Sequence, residues 1–178
     1  MTNKDFVFNL LNSTDVVVSI RNNLEKLLTV IPEIKPMIGF EHKHPHHHLD
    51  VWEHTLFALS FSPNNFDVRF SLLLHDIGKP QSYQTDNEIR HFKGHPEKSA
   101  EISKGVLTRL NFDKKYIDYI CTIIKNHDNP LTEEEINKNK ALSKTIFEVQ
   151  KCDAFAHNPL KNRKRLEYVE RLTNIFTE

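Results

Sequence analysis

The sequence predicts an all-α fold. Three observations carry that expectation: only four glycines occur in 178 residues, apolar residues recur at 3.6-residue spacing over long stretches, and several stretches open on helix-capping residues. Helices are expected at about Lys4–Leu11, Asp15–Val30, Val51–Phe61, Asp67–His75, Pro96–Leu110, Lys114–Asn126, Glu133–Asn137, Leu142–Ala156 and Lys161–Phe176.

In chain order, the first two helices rest on periodicity alone. Pro32, Pro36 and Pro45 then argue against a helix through the histidine-rich loop "EHKHPHHHLD". The helix before His75 ends in three leucines, Leu72 to Leu74. "SYQTDNEIRHF" does not read as helix: Tyr83 and Thr85 alternate with polar residues and "DN" offers a turn, so a short β-hairpin is expected near 82–92. Beyond it, Pro96 suits a first helical position. Asp113 or Asn111 can cap the helix carrying Tyr116, Ile117, Ile120 and Ile124, and Thr132 with Glu135 fits a capping box.

Length and composition suggest one domain over 1–178, with no repeat or second core. Lys plus Arg balances Asp plus Glu at 24 each, so no global charge favours nucleic acid or an anionic membrane. The longest apolar runs, such as Val16 to Ile20, fall short of a membrane span, and "MTNKDFVFNL" is acidic where a signal peptide would be basic. A cytoplasmic protein is expected. Cys121 and Cys152, the only cysteines, supply neither a disulfide framework nor a thiolate zinc motif and read as core residues.

Histidine is the outlier, with 11 residues, roughly three times the usual share. Chance gives fewer than one His-Asp pair, and two occur, His75-Asp76 and His127-Asp128. The leucines before His75 place that pair against the core, where a carboxylate is costly unless paired or bound to a cation. His127-Asp128 precedes "NP", which suggests a solvated Asp128. A divalent metal would need companions from other elements. The candidates are His54, His95, His127 and Asp153.

The order His54, His75-Asp76, His95, His127, Asp153 resembles the H…HD…H…H…D pattern of the HD-domain phosphohydrolase superfamily. The wording is closest to the HD domain of bacterial tRNA nucleotidyltransferases: "DVWEHTL", "LLLHDIGKP", "HFKGHPEKSAE", "LTRLNF" and "DAFAHNP" each resemble a block of that group. The resemblance implies an HD-type helical bundle with its core at 49–172, and residues 1–48 would add one or two packing helices and the histidine-rich loop. Those transferases carry a separate catalytic domain with an Asp-x-Asp motif. No Asp-x-Asp occurs here, so this chain is expected not to add nucleotides.

The resemblance further implies a first metal on His54, His75, Asp76 and Asp153, with Asp76 bridging to a second on His95 and His127. The ions would be divalent, one or two per chain, of Fe, Mn, Ni, Co, Zn or Mg. Metal binding can bring the pKa of water from 15.7 to about 7, so a metal-activated hydroxide, positioned by Asp76, could attack a phosphate ester. Lys79 resembles the lysine of the family's HDxxK block and could neutralise a phosphate oxygen or the leaving group; otherwise it is a solvated lysine. His47 and His48 could stand at the cleft mouth and contact substrate or occupy a spare metal position, or belong to a flexible loop with adventitious metal affinity; Arg90, His91 and Lys93 could line a phosphate pocket or be ordinary surface. The expected activity is phosphatase or phosphodiesterase action on a nucleotide-like substrate, an RNA end included. The alternatives are a di-iron oxygenase of the same fold, which iron content and oxygen-dependent turnover would reveal, and a non-catalytic RNA-binding or scaffolding module.

Overall fold

The computed structural model describes residues 1–177. Helix α1 (Asn3–Leu11) starts on a capping box: the Asp5 N–H donates to Thr2 Oγ1 at 3.1 Å, and the Thr2 N–H donates to Asp5 Oδ2 at 2.8 Å. The single helix expected over 15–30 is two, α2 (Val16–Asn22) and α3 (Leu24–Val30). Asn23 breaks it at φ −118° and ψ 18°, where its side-chain amide donates to the Ser19 carbonyl at 2.8 Å. Such local bonds compete with the helical ladder. The prolines that argued against a helix exclude an α-helix only. Pro32–Met37 winds into a 3₁₀ segment that buries Ile34 and Met37, because Pro32 enters its first turn where no N–H is needed.

The centre of the molecule is α5 (Phe66–Leu74), with Val68 through Leu74 all buried. It packs against α4 (Val51–Ser60), α8 (Lys114–Lys125) and α10 (Lys140–Ala156). Each buried leucine there is worth about 1.5–3 kcal/mol over an exposed one. Within the same helix Arg69, only 4% exposed, donates from Nη1 to the carbonyls of Leu11 and Ser13 at 2.8 and 2.9 Å. One buried guanidinium thus ties α5 to the α1–α2 connection, which periodicity does not reveal.

Helix α7 (His95–Arg109) lies along α8, α11 (Arg163–Thr177) along α10, and α9 (Glu133–Lys138) fills the turn before α10. Asp113 is the cap of α8, accepting from the Tyr116 N–H at 3.0 Å, and Thr132 with Glu135 forms the expected capping box. Cys152 is buried, while Cys121 is half-buried.

The hairpin pairs β1 (Gln84–Asp86) with β2 (Ile89–His91), antiparallel, with Thr85 opposite Arg90. Its turn falls on Asn87 and Glu88, one residue later than "DN" suggests; both have positive φ, 46° and 66°, as a two-residue hairpin of type I′ requires. Arg90 N–H donates to the Lys43 carbonyl at 3.0 Å and so fastens the hairpin to the histidine-rich loop.

A four-residue helix not expected from sequence, α6 (Lys79–Ser82), follows Gly78. A Cβ on Gly78 would stand 2.5 Å from the Ser99 nitrogen and 2.9 Å from the Lys98 carbonyl carbon, so α7 approaches only because Gly78 has no side chain. Gly78→Ala is therefore expected to destabilise the protein by about 1–3 kcal/mol, read as a lower urea midpoint; an unchanged midpoint would show that α7 can retreat freely. No helix among the described residues is long and apolar enough to cross a membrane.

Candidate metal centre

Three elements deliver four buried polar side chains to one point. His54 comes from the inner face of α4, His75 and Asp76 from the end of α5, and Asp153 from the last turn of α10. His54 Nε2 lies 2.8 Å from Asp153 Oδ1 and 3.8 Å from Asp76 Oδ2; His75 Nε2 lies 3.3 Å from Asp76 Oδ2 and 3.6 Å from Asp153 Oδ1. A second group adjoins it through the other oxygen of Asp76. His95 Nε2 is 3.3 Å from Asp76 Oδ1, His127 Nε2 is 3.6 Å from it, and the two imidazole nitrogens are 3.2 Å apart. All six residues are buried.

The tautomers follow from the outer partners. His54 Nδ1 faces the Ala156 carbonyl at 3.3 Å, His75 Nδ1 that of Leu72 at 2.6 Å, His95 Nδ1 that of Phe92 at 2.8 Å, and His127 Nδ1 that of Ile124 at 2.6 Å. A carbonyl can only accept, so each Nδ1 carries the hydrogen and each neutral ring turns a bare Nε2 lone pair inward. Four lone pairs then face two carboxylates. Asp76 Oδ1 and His75 Nε2 are buried with no hydrogen-bond partner, and Asp76 Oδ2 has only the Lys79 ammonium, 2.7 Å away. Such convergence of acceptors is stable only around a cation, and imidazole with carboxylate suits a divalent transition metal. Carbonyl bonds from the outer nitrogens also fix ring orientation.

Burial pulls the His75 imidazole down, but the charges of Asp76 and Asp153 outweigh it and push its pKa up to about 10, so without an ion a proton occupies His75 Nε2, and a divalent ion takes that position by displacing it. Burial likewise works against ionised Asp76 and Asp153, yet the cationic and imidazole groups around them hold both well below the usual carboxylate range. Both carboxylates therefore stay ionised, the form that binds a divalent ion.

A cavity of about 640 Å³ opens over both groups. Asp76, His95, His127 and Asp153 form its floor, and Lys93, Lys161, Lys164 and Arg165 stand around it. Residues 46–169 match the family model of the HD domain. The chain belongs to the HD domain family. Its curated relatives include the CC-adding tRNA nucleotidyltransferase of Thermus thermophilus, 33% identical over 111 residues, which cover 58% of this chain and 25% of the relative. The multifunctional CCA protein of Legionella pneumophila is 30% identical over 122 residues, 66% and 29% of the two chains. The A-adding tRNA nucleotidyltransferase of Deinococcus radiodurans is 35% identical over 88 residues, 46% and 20%. This HD domain chain therefore spans less than a third of the length of these relatives.

Other residues singled out in the sequence fare differently. Lys79 is 4% exposed rather than a solvated lysine, with Nζ 2.7 Å from Asp76 Oδ2. His47 lines the cavity, whereas His48 does not and instead lies beside Phe57. Arg90, His91 and Lys93 all border the cavity, but the Arg90 guanidinium is held over the rings of Phe40 and Tyr83 and donates to the Glu41 carbonyl. Asp128 is not simply solvated: it also walls the cavity and pairs with Arg165 at 2.9 Å.

Three residues at or beside this site were not found by sequence reasoning. His157, buried, donates from Nδ1 to the Asp153 carbonyl at 2.8 Å, and burial pushes its pKa down to about 4. Its spacing of four from Asp153 on a helix end was the available signal. Arg165 reaches Asp153 Oδ2 at 3.6 Å as well as Asp128, but nothing in "KNRKR" says which cation turns inward. His42, one of five histidines in its loop, is 1% exposed; burial and then the Lys79 charge push its pKa down to about 2.

Proposed function

We propose that this chain is a metal-dependent phosphohydrolase acting on a phosphomonoester or phosphodiester of a nucleotide, an RNA end included. The observation that carries the reading is the inward convergence of four imidazole Nε2 atoms on two carboxylates, with Asp76 Oδ1 left without a hydrogen bond and Oδ2 paired only with the Lys79 ammonium. On this reading His54, His75, Asp76 and Asp153 hold one divalent ion, and Asp76, His95 and His127 a second. When bound, such ions supply Lewis acidity that ionises water near neutral pH and stabilises charge on phosphate oxygens.

The chain's own groups do the rest. Asp76, placed between both histidine sets, orients the attacking water. Asp76 and Asp153 are offset in charge by Lys79 and Arg165, so any divalent ion leaves the cavity floor positive and selects an anion. Lys79 lines that floor and meets the phosphate oxygen or leaving group that gains charge. The relatives, a CC-adding and an A-adding tRNA nucleotidyltransferase among them, support a nucleotide or RNA end as the ligand.

Purified protein of measured metal content, screened against phosphomonoesters, cyclic nucleotides and dinucleoside polyphosphates, tests the reading. Hydrolysis that a chelator abolishes and one of these ions restores is the expected result. Iron-bound protein that consumes oxygen and hydrolyses nothing would replace it with an oxygenase. In the same assay Lys79→Ala is expected to lower turnover by about 10²-fold, the scale for a lost charge-stabilising donor, with metal content unchanged. Wild-type kinetics for that variant would remove Lys79 from the mechanism.

A further inference from the structure

The ammonium of Lys79 has a second partner. Its Nζ lies 3.0 Å from His42 Nε2 as well as 2.7 Å from Asp76 Oδ2. His42 Nδ1 lies 2.8 Å from the Leu49 carbonyl and must donate to it, so Nε2 carries the lone pair and accepts from the ammonium. The ring cannot turn away. It stacks on His47 with centroids 3.7 Å apart and planes 4° from parallel, and Phe92 meets it edge-on at 5.6 Å. Residue 42 lies outside the stretch 46–169 that matches the family.

We propose that His42 is a positioning residue that acts through Lys79, holding the ammonium beside Asp76 while a donor remains free for a phosphate oxygen in the cavity. The inference rests on the hydrolase reading for its consequence. An ammonium has three N–H groups. One goes to His42, the charge sits against Asp76, and the remaining donor capacity lies on a group that lines the cavity. Without an acceptor at position 42, the flexible ammonium is free to turn wholly onto the Asp76 carboxylate, where it competes with a metal ion for the oxygen and no longer faces substrate. The histidine-rich segment thereby contributes to catalysis through one ring held in a single tautomer.

Two substitutions separate this role from simple loop support. His42→Asn keeps a donor near the Nδ1 position for the Leu49 carbonyl but lacks reach to Lys79; His42→Gln can place an acceptor near the Nε2 position. With Mn²⁺-loaded protein and bis(p-nitrophenyl) phosphate or p-nitrophenyl phosphate, His42→Asn should lose about tenfold in kcat with little change in KM, and His42→Gln should stay within about twofold of wild type. Metal content should match wild type in both. In a Lys79→Met background the two variants should be equivalent. Nitrogen NMR of the Lys79 ammonium supplies a readout without turnover: its hydrogens should exchange slowly in wild type and His42→Gln and rapidly in His42→Asn. Equal effects of Asn and Gln, or an Asn-specific loss that persists with Met at 79, would overturn the proposal. If wild-type protein hydrolyses neither probe with any ion, the hydrolase reading fails, and the NMR comparison alone decides whether His42 holds Lys79.

Discussion

Asp76→Ala is expected to abolish hydrolysis and to lower the bound divalent ion below one per chain. Each Asp76 oxygen faces a different histidine set, Oδ2 toward His54 and His75 and Oδ1 toward His95 and His127. No other carboxylate among the described residues touches both sets, so the variant loses a ligand of each position together with the group that orients water. The loss should exceed the roughly 10²–10³-fold cost of a single preorganised group. Stability falls too, because Lys79 stays buried without its counter-charge, and breaking a buried pair costs about 3–5 kcal/mol. Asp76→Asn separates the effects: it keeps the shape, spares most of the stability and still loses turnover. A fully active Asp76→Ala protein would reject the mechanism.

The paired change His95→Ala with His127→Ala is expected to release about one ion per chain and most of the activity while the helices remain. Each ring is anchored outward on a carbonyl one turn earlier, Phe92 for His95 and Ile124 for His127, and inward they meet each other and Asp76, with the His75 ring edge-on to His127 at 5.1 Å. In ion-free protein their facing lone pairs, 3.2 Å apart, stabilise nothing. Truncation should thus leave the urea midpoint of ion-free protein nearly unchanged and lower the midpoint of ion-saturated protein, since ligand binding to the native state stabilises by mass action. Elemental analysis checks the stoichiometry. Unchanged ion content with unchanged activity would leave a mononuclear centre at His54, His75, Asp76 and Asp153.

What the sequence disclosed was whatever local chemistry dictates. Leu72 to Leu74 announced that His75 and Asp76 end inside the core, and the capping box at Thr132 and Glu135 stands where expected. The six candidate ligands came from spacing and a family resemblance, and the structure brings all six together. What stayed hidden depends on partners distant in sequence. The Asn23 break competes against otherwise good helical periodicity, α6 needs the close approach of α7 at Gly78, and Arg69 is buried because two carbonyls of another segment wait for it. His42 looks like its four loop neighbours until the fold sets Lys79 beside it. Arg165 is one of four cations in five residues, and only the path of α11 turns it toward Asp128 and Asp153.

Anomalous diffraction from crystals grown with Mn²⁺ tests the central claim most directly, because it locates ions without assuming an activity. The account predicts two peaks, one among His54, His75, Asp76 and Asp153 and the other among Asp76, His95 and His127, about 3.5–4 Å apart. Peaks confined to the histidines of the 42–48 loop, with no ion at Asp76, would contradict it.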